Sequence, residues 1–495
     1  MARSSGILMG ISSLPSPYGI GTMGREARDF VDFLKKAGQK IWQVLPLGPT
    51  SFGDSPYQSF SAFAGNPYFI DLEELMDQGL VTREQVEAVD WGNDPALVDY
   101  EKIYQGRLPI LTAACKAFLQ KEENRDALAA FMQEQEQWIG DYALFMALKD
   151  HFNGQAFIDW SRDIRLREPE AMERYRAELK EQMELYCFIQ YEFFRQWKAL
   201  KAYANENGIR IMGDIPIYVP LDSADVWAEP QGFRLDEERR PRFVAGVPPD
   251  YFSADGQLWG NPLYDWEAMR EDGYGWWLRR IGGAGALYDM IRIDHFRGLA
   301  SYWEIPYGEK TARVGRWVPG PGMDFISRIQ GWFKDLELIA EDLGFLTEDV
   351  TALLKESGYP GMKVLQFAFD AREPSNYLPH TYGSHCICYT GTHDNTTIQG
   401  WFTEAAEEDV ALAKRYLALT EEEGLSWGMI RGGMGSVAEL FIAQMQDYLA
   451  LPSEARMNIP GTLGGNNWRW RMEKGADSDA LAERINELVT MYGRQ

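Results

Sequence analysis

At 495 residues the chain is long enough for two or three average domains, or for one large α/β barrel with insertions. Its hydrophobic content of 45% supplies an ample core, and its net charge of −25 excludes nucleic acid or an anionic membrane surface as a partner, because either needs a basic face. No apolar run approaches the roughly 18 residues of a membrane span.

The first apolar run, Gly6 to Ile11, is broken at once by Ser12, Ser13 and Pro15. It is too short for the core of a signal peptide, so a cytoplasmic protein is expected. The four cysteines, Cys115, Cys187, Cys386 and Cys388, fit a reducing compartment and no disulfide framework. The histidines have no metal-ligand spacing, so neither a metal nor any other cofactor is expected. Both a monomer and a weak dimer stay open.

Gly6 to Ile11 reads as a first strand. Glu26 to Lys36 follows as a helix, with Phe30, Phe33, Leu34 and Ala37 at helical spacing and Gly38 at its exit. Lys40 to Pro46 is a second strand, and the three together make a βαβ unit, hence a parallel sheet. Further strands are predicted at Ile209 to Val219, Met290 to Phe296, Leu338 to Leu343, Met362 to Phe369, His385 to Thr392 and Arg456 to Pro460. Helices lie between most of them, for example around Phe325 to Leu336 and Thr347 to Ser357. Strands alternating with helices in this number favour a closed (β/α)8 TIM barrel carrying inserted, mainly helical subdomains.

One barrel spanning residues 1–495 is therefore expected, with two long insertions. Positions 48–208 contain a capping box at Thr82 to Gln85 and amphipathic helices at Trp138 to Phe152 and Met183 to Tyr203, which reads as a helical subdomain after strand two. Positions 220–287 include an aromatic, proline-rich loop from Val244 to Trp266. The final helix, Leu481 to Met491, gathers Leu481, Ile485, Leu488 and Val489 on one face.

Chemistry collects at strand ends. Along Met290-Ile291-Arg292-Ile293-Asp294, alternation puts Arg292 and Asp294 on one face. Taken alone, this pair reads equally well as a buried ion pair that fixes strand register. Two similar stretches shift the balance: Leu338-Ile339-Ala340-Glu341-Asp342 and Cys388-Tyr389-Thr390-Gly391-Thr392-His393-Asp394-Asn395. In a parallel barrel the carboxyl ends of the strands carry the substrate loops, so three such ends suggest one shared site. The run Gly282-Gly283-Ala284-Gly285 precedes a strand instead of following one, which rejects a nucleotide loop. His393 and Asp394 have no serine or cysteine elbow nearby, so acyl transfer is rejected too.

Tyr57, Tyr251, Phe252, Trp259, Tyr264 and Trp266 all fall in predicted loops. The stretch from Asp250 to Pro262 has no period that would bury it and reads as a ligand surface. A sugar ring offers an apolar face to aromatics and hydroxyls to Asp, Asn and Gln, so carbohydrate fits this mixture, with Asp250 and Trp259 assigned to it. Glycosidic chemistry needs one ionised and one protonated carboxyl. Arg292 would keep Asp294 ionised, making it the nucleophile. Glu341 would face inward with Ile339 while Asp342 faces away, making Glu341 the acid/base. Asp394 would bind sugar hydroxyls and favour the distorted ring. Transfer to another sugar, hydrolysis on the same residues, and a catalytically dead glycan-binding protein all remain open at this point.

The sequence resembles the 4-α-glucanotransferase family (amylomaltases, disproportionating enzymes) of the α-amylase clan. The likeness is carried by Gly213-Asp214-Ile215-Pro216-Ile217-Tyr218-Val219, the loop from Ala245 to Trp266, Arg292-Ile293-Asp294-His295-Phe296-Arg297-Gly298, Ala340-Glu341-Asp342-Leu343-Gly344, Gly391-Thr392-His393-Asp394-Asn395 and Asn458-Ile459-Pro460-Gly461-Thr462. Asp54-Ser55-Pro56-Tyr57-Gln58 and Gly65-Asn66-Pro67-Tyr68 add to it. The resemblance implies a retaining transfer of α-1,4-glucan segments between malto-oligosaccharides, with Asp294 as nucleophile, Glu341 as acid/base and Asp394 as transition-state stabiliser. It also implies that Tyr57, Asp214, Arg292, Asp370, His393 and Asn395 line the donor site. Tyr100 resembles a tyrosine at a second, remote glucan site, where relatives often carry a further tyrosine in place of Phe52.

Overall fold

The computed structural model describes residues 3–51, 53–249, 253–344 and 346–495. Its strands are β1 (Ser4–Leu8), β2 (Ile41–Gln43), β3 (Arg210–Pro216), β4 (Phe243–Val247), β5 (Gln257–Pro262), β6 (Met290–Asp294), β7 (Ser301–Pro306), β8 (Arg316–Pro319), β9 (Glu337–Ala340), β10 (Gly361–Val364), β11 (Cys386–Tyr389) and β12 (Leu440–Gln444). Eight of them form one sheet in the order β10-β11-β12-β1-β2-β3-β6-β9, and every neighbouring pair in it is parallel. Ala340 N donates to Pro360 O at 3.0 Å, bringing β9 back to the start of β10 and closing the (β/α)8 barrel.

The barrel helices follow the predicted periods. Arg25–Lys36 buries Ala27, Phe30, Val31, Phe33 and Leu34, and it packs against the terminal helix Asp479–Met491, which buries Ala482, Ile485 and Val489. Between β2 and β3 the chain is mostly helical. The helix Lys180–Glu206 is the spine of that region, and Tyr100–Phe118 and Ile139–His151 pack on it. Thr82 caps Arg83–Glu87 in a capping box with Gln85, as the sequence predicts. Among the described residues no helix is long and apolar enough to cross a membrane.

Three expectations need correction. The eighth barrel strand is Leu440–Gln444, which pairs with β11 and β1. Arg456 to Pro460 instead runs as a 3-10 turn exit and coil across the barrel mouth. The stretch from Val244 to Trp266 is also not an aperiodic loop. β4 and β5 pair antiparallel, and with β7 and β8 they form a second sheet in the order β5-β4-β7-β8. Gly256 sits at φ +67° in the turn between them, where a Cβ would meet Val247 O at 2.4 Å, so only glycine fits. Tyr264 and Trp266 belong to the core, not to a ligand surface: they are 1% and 9% exposed, and the Tyr264 hydroxyl donates to Ile217 O at 2.7 Å. Asp250, Tyr251, Phe252 and Phe52 lie outside the described residues.

Candidate active site

The register of three barrel strands decides which side chains meet. Asp214 of β3 lies opposite Arg292 of β6, and Ile293 of β6 lies opposite Ala340 of β9. Asp294 and Glu341 therefore occupy the carboxyl ends of adjacent strands, which run about 4.8 Å apart in a sheet. Alternation puts Arg292 and Asp294 on the same inward face. The Arg292 side chain is 4% exposed, and its Nη1 donates to Asp214 Oδ2 at 2.6 Å and to Asp294 Oδ1 at 3.0 Å. A buried guanidinium shared by two carboxylates is paired, not stranded, which is the condition for tolerating it there.

Burial pushes the Asp294 carboxyl up to about 6 against the pull of Arg292. Arg292 thus limits the rise without abolishing it, and 29% of the Asp294 side chain stays open to the cleft. Burial raises Glu341 further, to about 7; Arg292 opposes the shift, and the neighbouring Asp294 charge adds to it. Both Glu341 oxygens accept backbone amides: Oε2 from His295 N at 2.7 Å and Oε1 from Leu343 N at 2.9 Å. His295 supplies its amide by turning left-handed, at φ 53° and ψ 47° directly after β6. Asp342 faces the other way, buried, and accepts from Met362 N on β10 at 2.6 Å. The two adjacent carboxyls thus have different surroundings, one against a guanidinium and the other on two backbone amides, and burial raises both.

The end of β11 brings a third group. His393 is buried, its ring stacked on Tyr57 at 4.7 Å between centroids, with the Trp468 ring 5.8 Å away. The Tyr57 hydroxyl donates to Asp214 Oδ2 at 2.7 Å and lies 3.2 Å from His393 Nδ1. Asp214 thus ties Tyr57 and Arg292 together from beneath, and it is itself fully buried. His393 Nε2 lies 3.4 Å from Asp394 Oδ1, which also accepts from Asn458 Nδ2 at 2.7 Å. One connected network therefore joins Asp394, His393, Tyr57, Asp214, Arg292 and Asp294.

Trp259, on β5, sets its ring edge-on to His295 at 4.7 Å, so the antiparallel sheet reaches the residue that donates to Glu341. Asn395, Asp370 and Tyr100 bond to other partners. Asn395 turns its amide oxygen to Thr392 N and Oγ1, at 2.8 and 3.0 Å. Asp370 is held by Arg372, through Nε and Nη2 at 2.9 Å each. Tyr100 is half-buried and donates its hydroxyl to Trp468 O at 2.9 Å, behind the wall that Trp468 makes for Tyr57. Asp250 lies outside the described residues.

Four contributors escaped the sequence reading as site residues. His295 acts through a backbone amide, which no side-chain motif advertises. Trp468 sits in Asn466-Asn467-Trp468-Arg469-Trp470, a stretch without period, at φ 65°. Arg456 and Asn458 fall in a segment that reads as a strand, although Asn458 opens one of the motifs that carry the family resemblance.

Two neighbouring buried carboxyls at the carboxyl end of a (β/α)8 barrel, beside a wall of aromatics, fit the class of carbohydrate-active barrel enzymes. The family description "4-alpha-glucanotransferase" matches residues 9–477. The chain is 50% identical to a 4-alpha-glucanotransferase of Clostridium butyricum, over 98% of this chain and all of the relative, and 49% identical to one of Thermus thermophilus, over 99% and 100%. Its fold superposes on an amylomaltase from Streptococcus agalactiae, solved in complex with acarbose, with a TM-score of 0.97, 44% identity and 99% of each chain covered. The chain belongs to the 4-alpha-glucanotransferase family, enzymes that transfer segments of α-1,4-glucan.

Proposed function

We propose that the transfer runs as a double displacement on Asp294 and Glu341. Asp294 attacks the anomeric carbon of the donor glucan, and the bonding pair leaves with the glycosidic oxygen. Glu341 gives that oxygen its proton, and a glucosyl ester forms on Asp294. The 4-hydroxyl of an acceptor glucan then attacks the same carbon, Glu341 takes its proton, and Asp294 is freed. The observation that carries this reading is the register of β6 and β9, which sets the two carboxyls on neighbouring strands, Asp294 against the Arg292 guanidinium and Glu341 on two backbone amides. In retaining enzymes the two carboxyls stand about 5–5.5 Å apart, a spacing that adjacent strands supply.

Asp394 binds hydroxyls of the reacting sugar and favours its flattened ring. Tyr57 and His393 wall the donor side, Trp259 the acceptor side, with Arg292 and Asp214 holding the charges in place and Asn395, Asp370 and Asp250 completing the subsites. Residues 48–208 and 220–287 act as insertions that border the groove. That the Streptococcus agalactiae amylomaltase is solved in complex with acarbose supports an oligosaccharide ligand for this chain. A cytoplasmic site of action is supported by four free, buried cysteines.

The reading is tested by trapping. Glu341→Gln incubated with α-glucosyl fluoride needs no acid for the first step and lacks the base for the second, so the ester accumulates. Peptide mass spectrometry should find a hexosyl group on Asp294. A hexosyl group on Asp394 or Asp342 instead would overturn the assignment.

A further inference from the structure

Asp394 sits on the connection between β11 and the helix Ile398–Glu404, and its side chain is 44% exposed. Such a carboxylate can swing, and a group that must meet particular hydroxyls in the transition state loses its value when misplaced by about 1 Å. The restraint comes from a segment on the other side of the mouth. Asn458 N donates to His393 O at 3.1 Å, and Asn458 Nδ2 to Asp394 Oδ1 at 2.7 Å. Arg456 Nη2 donates to Asp394 O at 2.5 Å, while its Nε donates to Asn458 O at 2.7 Å. One three-residue segment thus grips two successive residues of the site, through both backbone and side chain.

The segment is itself anchored. Met457, between the two gripping residues, is buried, and its carbonyl accepts Trp468 N at 2.7 Å. Trp468 in turn packs its ring on His393 and Tyr57. Among the described residues, the side-chain contacts to the Asp394 carboxylate all end on Oδ1. That orientation leaves Oδ2 for the sugar.

We propose that Arg456 and Asn458 are positioning residues for glycosyl transfer, which set the direction of the Asp394 carboxylate and act on the rate through it. The inference rests on the reading that Asp394 acts on the reacting sugar. A tie that only stabilised the loop would change melting temperature and leave the turnover of folded enzyme alone.

The test uses the full-length enzyme with maltotriose and a double-mutant cycle. Asn458→Ala should lower kcat about 10- to 100-fold, with KM within about threefold of wild type, as expected when an interaction made in the transition state is lost. Placed on an Asp394→Asn background, the same substitution should cost less than about twofold more, because residues acting as one unit are not additive. Arg456→Lys keeps the charge but loses the two-point fork, so kcat should fall at least about threefold; this variant also carries the test if Asn458→Ala does not fold. Wild-type kcat in Asn458→Ala or Arg456→Lys, a loss confined to KM, or losses that multiply in the double variant would overturn the proposal. Full activity of Asp394→Asn alone is a separate result: it would refute the role given to Asp394 itself.

Discussion

Asp294 and Glu341 differ by what surrounds them, and that difference is measurable. Asp294→Asn keeps the shape and removes the proposed nucleophile, so turnover on maltotriose should fall at least about a hundredfold with folding and glucan affinity retained. Activity above that level, once back-deamidation is excluded, would remove Asp294 from the role. Glu341→Gln should fail on maltotriose but recover part of its first step on a glucosyl fluoride, whose leaving group needs little protonation. Equal loss on both donors would move the acid elsewhere. The pH profile follows from the same two groups, with its apparent values belonging to the pair. The proposed double displacement needs Asp294 ionised, so kcat/KM should drop as pH falls through about 6, and it needs Glu341 protonated, so it should drop again as pH rises through about 7. On the fluoride donor, Glu341→Gln should lose the alkaline limb and keep the acid one. A profile flat from about pH 5 to about pH 9 in the wild type, an interval that spans the values of both groups, would contradict the assignment.

At the scale of elements, the sheet β5-β4-β7-β8 brings an aromatic wall to the barrel mouth. The glucosyl-enzyme is surrounded by water, so an acceptor wins only if it is held in attack geometry. Losing one aromatic–sugar contact costs about 1 kcal/mol, roughly fivefold in acceptor occupancy. Trp259→Ala should therefore raise the ratio of hydrolysis to transfer several-fold on maltotriose, read as glucose and reducing ends measured in parallel. A fall in both activities at constant ratio would assign Trp259 to donor binding or to support of His295. This sheet also marks where reading the sequence ends. Leu258 is an exposed apolar residue and Trp259 is half-buried against His295, so no polar–apolar alternation survives along β5. Leu440–Gln444 fails for the opposite reason: it is buried at every position, and an apolar run without alternation does not separate strand from helix. Arg456 to Pro460 alternates because Met457 enters the core while Arg456 and Asn458 turn to Asp394, which mimics a strand without its ladder. By contrast Asp294, Glu341 and Asp394 stand out in the sequence because each follows a short apolar run, the form of a buried parallel strand.

At the scale of the molecule, the helical region between β2 and β3 must be locked to the barrel for Tyr57 to reach Asp214. Lys149, on Ile139–His151, is buried and donates to Gly154 O at 2.7 Å, Gln155 O at 2.9 Å and Asp222 Oδ2 at 2.6 Å, just beyond β3. Lys149→Met should cost roughly 2–4 kcal/mol in urea unfolding, because two carbonyls and Asp222 Oδ2 lose their charged donor, while Phe157 N still donates to Asp222 Oδ1. A change below about 0.5 kcal/mol would show that this lock contributes little. Every role proposed above depends on a glucosyl-enzyme that an acceptor sugar intercepts before water does. Incubation of the enzyme with pure maltotriose, followed by chromatography and a reducing-end assay, tests this most directly. The prediction is glucose and a ladder of longer maltodextrins at constant reducing ends. A rise in reducing ends matching the glucose released, with no longer chains, would contradict it.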